Sequence, residues 1–190
     1  MSRPPTVPRE EVIQRMRAVF RANGYEGATL ATLAESAGLA RSALYHLFPE
    51  GKENMAAAVL DEARAWTIAH VLQPLVQAGE PAAKLRAMTD ALHELYGGGH
   101  ESCLIGLFST GEAKQHFGGQ LKVALSDLIA AIEGVLVEAG VEPGLARDRA
   151  EDAVVRIQGS LVVARVLDDT APFARLLRRL PDELLEQQDQ

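Results

Sequence analysis

Apolar residues recur with helical spacing along most of the chain. Over 9–23, Val12, Ile13, Met16, Val19 and Phe20 fall on one stripe of an amphipathic helix. Asn23-Gly24 predicts its end, because glycine readily takes the left-handed conformation in which a chain leaves a helix. Two short helices are expected over 30–37 and 41–47, separated by Ala37-Gly38-Leu39. Pro49 and Gly51 set off a long helix from Lys52 to about Ala78, carrying Met55, Val59, Ala63, Trp66 and His70. Pro74 predicts a kink in it, since proline lacks a backbone donor and clashes with the preceding turn.

Gly79 ends that segment, and Pro81 suits the first turn of a helix over 82–96 that stops at Gly97-Gly98-Gly99. A short helix is expected near 101–109 and a break at Gly118-Gly119. Residues 119–139, with Leu121, Leu125, Leu128, Ile129, Ile132, Val135 and Leu136, form the next helix, ending at Gly140. Pro143 opens a helix over 144–168, and Thr170 is placed to cap a last one over 172–187 bearing Phe173, Leu176, Leu177 and Leu180. No stretch alternates as a strand would, and none repeats. The expected fold is all-α, with about nine helices.

Composition sharpens this outline. The 190 residues are 47% hydrophobic and 24% charged, proportions of a globular protein with a real core. No run of 18 apolar residues predicts a membrane span. The single cysteine, Cys103, excludes an internal disulfide framework and fits a reducing, cytoplasmic setting. Met1–Pro8 reads as a flexible arm, not a signal peptide. The net charge of −7 is unevenly spread: residues 1–52 carry +2 and the remainder −9. A modestly basic head on an acidic body suits a protein whose head alone meets phosphate.

The head is also where the chemistry concentrates. Residues 24–52 outline a helix-turn-helix, the unit that lays a short helix in the DNA major groove. Ala34 stands where the two helices cross closely, and Gly38 permits the positive φ of the turn. Leu30, Leu33, Leu39 and Leu44 are expected to bury against the first helix, and Phe48 to plug the small core. That leaves Arg41, Ser42, Tyr45 and His46 exposed, with Lys52 at the start of the next helix. Arginine can pair bidentately with guanine, while tyrosine, histidine and lysine donors serve phosphates.

No nucleophile elbow, dinucleotide loop, Walker loop or His-Glu-x-x-His motif marks an enzyme. His93, His100, Cys103 and His116 match no closed metal-site spacing, so neither metal nor other cofactor is expected. The competing classes are an all-α protein-interaction module without DNA binding and, less favoured, an enzyme.

The head resembles the DNA-binding domain of the TetR family of transcriptional regulators. The resemblance rests on Gly24-Tyr25, on Ala34-Glu35-Ser36-Ala37-Gly38 at the turn, and on Leu44-Tyr45-His46-Leu47-Phe48. The run Phe48-Pro49-Glu50-Gly51-Lys52-Glu53 is similar to a subgroup that represses multidrug-export genes. Ala28 and Ala40 depart from the family's usual threonine and its usual serine or proline. The cap of the second helix then falls to Thr29, and the third helix starts without a strong cap.

The resemblance implies a DNA-binding domain over 1–50 and a ligand-binding and dimerisation domain over 51–190. It implies that Arg41, Ser42 and Ala43 face bases, that Tyr45, His46 and Lys52 hold phosphate, and that Thr29 and Thr32 flank the backbone. For the body it implies a largely apolar pocket drawn from Trp66, His70, Met88, Leu92, Tyr96, Leu104, Leu107, Phe108 and Phe117. Helices 144–168 and 172–187 would pair with their copies in a four-helix bundle. Val155, Leu161, Val162 and Val166, with small Gly159, Ser160 and Ala164, suit such packing. The implied function is a repressor that binds a palindromic operator as a homodimer. A small effector would release it by moving the fourth helix like a pendulum.

Overall fold

The computed structural model describes residues 7–186. Most of the expected arm, and position 187 of the expected last helix, lie outside them. Nine helices and no strands occur among the described residues. The first three are α1 (Arg9–Gly27), α2 (Leu30–Ala37) and α3 (Arg41–Leu47). Helix α4 begins as α-helix over Lys52–Thr67, widens to a π segment over Ile68–Leu72 and ends as α-helix over Gln73–Val76. Then come α5 (Pro81–Leu95), a 3₁₀ turn at Gly97–Gly99, α6 (Leu104–Phe108), α7 (Gly111–Glu138), α8 (Pro143–Leu167) and α9 (Ala171–Leu185).

The chain forms two compact units, residues 1–64 with 104–119 and residues 65–103 with 120–190. The first holds the described part of the expected helix-turn-helix domain, together with α6 and the start of α7. Its core takes the predicted stripe of α1 and adds Leu33, Ala34, Ala37, Leu44, Phe48, Met55 and Val59, all buried. Leu30 and Leu39, expected to bury, are only half covered, because one opens α2 and the other sits in the turn. Four aromatic rings complete the core. Phe20 stacks on Tyr25 at 6.3 Å, and Phe108 meets both edge-on at 5.7 and 5.8 Å. Phe117 meets Tyr25 at 5.7 Å.

The second unit is aliphatic and alanine-rich. From α8 it buries Ala146, Ala150, Ala153, Val154, Ile157, Leu161 and Ala164, and from α9 Phe173, Leu177, Leu180 and Leu184. Small residues every third or fourth position let helices approach closely. Its one buried lysine, Lys84, lies against the Glu138 carboxylate at 2.5 Å, which keeps its charge from standing alone in the interior. Glu142 caps α8, accepting the Leu145 N–H at 2.9 Å.

Several boundaries differ from expectation. Gly24 does turn left-handed, with φ +67°, but one more helical turn follows and α1 extends to Gly27. At Gly118-Gly119 there is no break, and α7 runs through both. Each glycine costs about 1 kcal/mol in a helix, and the buried Phe117 and Leu121 on either side offset that. The disturbance expected at Pro74 is a π segment just before it. The Gln73 N–H reaches back five residues to the Ile68 carbonyl, widening the helix where the proline ring meets the preceding turn. Thr170 makes no side-chain cap. Asp169 does so instead, its Oδ1 accepting the Ala171 N–H at 2.9 Å.

Candidate nucleic-acid interface

The turn is built on Gly38, whose φ of +68° lets Gly38 and Leu39 close α2 with hydrogen bonds to Glu35 and Ala34 carbonyls, both at 3.0 Å. At the other end of α2 the displaced cap lies where Ala28 placed it. Thr29 Oγ1 accepts the Thr32 N–H, Thr32 Oγ1 accepts the Thr29 N–H, and both distances are 3.1 Å. Ala28 itself is buried, so a threonine hydroxyl there would need a partner. Thr29 and Thr32, the two members of this capping box, are both exposed.

Helix α3 starts at Ala40 with no side-chain cap, as its sequence predicts. Its one buried residue is Leu44, and Phe48 closes it inside the core. Arg41, Ser42, Tyr45 and His46 are exposed, Tyr45 to 44%, and Ala43 is half covered. Four hydrogen-bonding side chains thus stand on the solvent side of a seven-residue helix, the arrangement with which a groove-reading helix meets base edges and phosphates.

Lys52 is half-buried and already engaged. Its Nζ donates to the Tyr25 carbonyl at 3.1 Å and lies 4.3 Å from the Tyr25 ring centre. One of its three donors is therefore committed inside the protein, where the sequence suggested an open phosphate contact. Around Tyr25, burial first and then the carboxylates of Glu112, Glu53 and Glu26 push the phenol's pKa up. His116 bridges two of these acids, with Nδ1 at 3.2 Å from Glu53 and Nε2 at 3.5 Å from Glu112.

Sequence reasoning missed Glu26. Its carboxylate accepts the Glu112 N–H at 2.8 Å and the Ala113 N–H at 3.4 Å, capping α7 from the end of α1. Its own backbone N–H, then those of Ala113 and Glu112, hold its carboxyl below the usual range. Only Gly111, with φ +60°, signals the site, since a Cβ there would stand 2.3 Å from Glu26 Oε1.

The nine expected pocket residues are not gathered in one unit. Leu104, Leu107, Phe108 and Phe117 belong to the first, where Phe108 and Phe117 are part of the aromatic core. In the second, Met88 and Leu92 of α5 and Tyr96 just after it are buried. Trp66 is half covered and stacks on the exposed His70 at 4.4 Å, beside the π segment. The Tyr96 hydroxyl donates to Cys103 Sγ at 3.3 Å, so that thiol is buried and partnered. A separate open groove of about 550 Å³ between α5 and α9 is lined by Arg86, His93, Arg175, Arg178 and Leu177 among others, and by none of the nine. Among the described residues no three His, Cys, Asp or Glu gather to hold a metal ion, and no helix is long and apolar enough to cross a membrane.

On α8, Leu161 and Ala164 are buried within the chain, whereas Val155, Val162 and Val166 are 68%, 53% and 78% exposed. The stripe expected for pairing thus divides in two. Val155 and Val162 are about two turns apart and align, while Leu161 lies about 100° away around the helix.

The family described as "Bacterial regulatory proteins, tetR family" matches residues 13–59. The "Transcriptional regulator LmrA/YxaF-like, C-terminal domain" matches residues 81–179, just over half of the chain. The HTH-type transcriptional repressor AcnR of Corynebacterium glutamicum is 41% identical over 58 residues, 30% of either chain. The repressor KstR2 of Mycolicibacterium smegmatis is 32% identical over 90 residues, 47% of this chain and 43% of that one. The chain thus aligns with less than half the length of these relatives. A crystal structure of a TetR transcriptional regulator from Legionella pneumophila superposes with TM-score 0.79 at 21% identity, covering 95% of this chain and 99% of that one. FadR of Bacillus subtilis in complex with stearoyl-CoA does so with TM-score 0.70 at 18% identity, covering 94% and 98%. At such identities the likeness is one of fold. Head profile, body profile and fold agree: the chain belongs to the TetR family of DNA-binding transcriptional regulators, which are not enzymes.

Proposed function

We propose that this chain is a ligand-responsive repressor that binds a palindromic operator as a homodimer and is released by a small, largely apolar effector. The observation that carries the DNA-reading part is the exposure of Arg41, Ser42, Tyr45 and His46 on α3, whose inner side is fixed by Leu44 and Phe48. Arg41, Ser42 and Ala43 are assigned to base edges. Thr29, Thr32, Tyr45, His46 and the remaining donors of Lys52 are assigned to phosphates. DNA reading falls to residues 1–50, and effector binding and pairing to 51–190.

The dimer is supported by α8. Val155, Val162, Val163, Val166 and Leu167 form an apolar stripe in the open, with Gly159 leaving room for close approach. Exposed apolar faces of this kind mark contacts between proteins, and a two-fold reader needs two heads. The effector is assigned to the second unit, where Met88, Leu92, Tyr96, Trp66 and His70 combine apolar area with two polar anchors. The fold neighbour crystallised with stearoyl-CoA supports a ligand with a long apolar part.

An electrophoretic shift of the full chain on DNA flanking its own gene tests this reading. Retention at low salt that Arg41→Ala weakens is the expected result. No retention, or retention untouched by Arg41→Ala and Tyr45→Ala, would return the protein to the class of interaction modules.

A further inference from the structure

Helix α3 cannot set its own position. Seven residues are too few for a self-sustaining helix in water, and Ala40 gives it no side-chain cap. Its direction therefore depends on the Ala37-Gly38-Leu39 turn, and that turn is tied to α1 by two reciprocal hydrogen bonds. Arg15 Nη1 donates to the Ala37 carbonyl at 3.2 Å, and Ser36 Oγ donates to the Arg15 carbonyl at 3.0 Å. The Ala37 carbonyl is one of the last of α2, left without a partner inside its helix, and a guanidinium there also meets the negative end of the helix dipole. Glu11, one turn earlier on α1, accepts from Arg15 Nη2 and holds the guanidinium in place.

Gly38 belongs to the same device. A Cβ at that position would stand 3.0 Å from Arg15 Nη1, so a glycine serves both the positive φ of the turn and the seat of the arginine. The guanidinium is thus used at both ends, by the turn and by Glu11, in a part-buried position.

From this clasp we infer that Arg15, with Ser36, is a positioning residue for sequence readout: it aims α3 and does not touch DNA. The inference rests on the reading of α3 as the groove-reading helix. A loosened clasp lets α3 tilt, which weakens base contacts that need correct geometry but leaves distance-tolerant attraction to phosphate.

The test uses the full chain and a duplex that the wild-type protein itself selects from a random-sequence pool, with a scrambled duplex of equal length beside it. Arg15→Ala is expected to lower affinity for the selected duplex about tenfold, the factor that corresponds to one charge-assisted hydrogen bond. Affinity for the scrambled duplex and the slope of log affinity against log salt are expected to stay as they were. Arg15→Lys, which keeps a donor, should recover part of the loss. Ser36→Ala should act in the same direction, and the double variant should lose less than the two losses combined. If Arg15→Ala does not fold, Ser36→Ala and Arg15→Lys still decide the matter. A salt slope shallower by about one, with both duplexes weakened alike, would make Arg15 a phosphate contact and overturn the inference. Unchanged affinity in Arg15→Ala and Ser36→Ala would overturn it too. A wild-type chain that selects no duplex would sink the reading of α3 itself, a distinct result.

Discussion

The two compact units bury and expose opposite things. The first packs the aromatic rings Phe20, Tyr25, Phe108 and Phe117 against one another and buries Leu44 and Phe48 of the helix-turn-helix. It presents Arg41, Ser42, Tyr45 and His46 outward. The second packs alanines and branched aliphatics along α8 and α9, and leaves Val155, Val162 and Val166 in the open. Large rigid rings give a small unit a well-defined core from few residues, which suits a platform that must hold one short helix still. Alanine seams let long helices lie close, and the valines left outside form an exposed apolar face of the kind that suits contact with another protein. Polar side chains outside an aromatic core and apolar side chains outside an aliphatic one suit the two partners we propose, nucleic acid and a second copy of the chain.

That contrast can be attacked at five points, taken from the largest expected effect downward. Phe108→Ala removes a fully buried ring and should cost about 3–5 kcal/mol of stability in chemical denaturation. A loss under about 1 kcal/mol would show that the rings do not carry the first unit. Val162→Asp puts a charge on the exposed stripe of α8 and should leave the protomer folded while turning a dimer into a monomer in sedimentation. Operator affinity should then fall about a hundredfold, because two linked heads bind far more tightly than one. A Val162→Asp protein that stays dimeric removes α8 from the interface.

Arg41→Ala should weaken binding to the selected duplex by about 1–3 kcal/mol without moving the melting temperature. Equal losses on selected and scrambled duplexes would reduce Arg41 to a phosphate contact. Gly111→Ala adds a Cβ against the Glu26 carboxylate at a positive φ, and should cost at least about 1 kcal/mol. No loss would mean that the Glu26 cap on α7 is slack.

The smallest effect is that of Glu26→Gln. Backbone N–H groups hold the Glu26 carboxyl below its ordinary range, so its contribution is present above the unfolded-state value of about 4.3 and is lost as pH falls through the lower folded value. Glu26→Gln should therefore flatten the acid side of the stability profile, read as stability against pH below about 4.3. An identical profile would show that the carboxylate's charge is not what the α7 terminus uses.

How far the chain's letters carried depends on the range of the interaction. The α1 stripe, the Gly38 turn, the Thr29 cap and the weak start of α3 at Ala40 were all legible, since each depends on neighbours a few positions away. The exposure of Arg41, Ser42, Tyr45 and His46 follows from the same local periodicity. Gly118-Gly119 misled because a glycine pair signals a break only when nothing nearby compensates. Here Phe117 and Leu121 are both buried, and Phe117 packs on Tyr25, a partner distant in sequence.

The sequence by itself determined the all-helical order, the helix-turn-helix and the identity of the side chains it presents. Those rest on a period of 3.6 residues, on capping chemistry and on glycine's freedom at positive φ. Only the tertiary structure decided that Lys52 is held by Tyr25, that Glu26 caps α7 from the end of α1, and that Arg15 grips the Ala37 carbonyl. It also decided which valines of α8 face out. Such pairings join residues some twenty to ninety positions apart, and local periodicity carries no information about which distant helix end a charged side chain will meet.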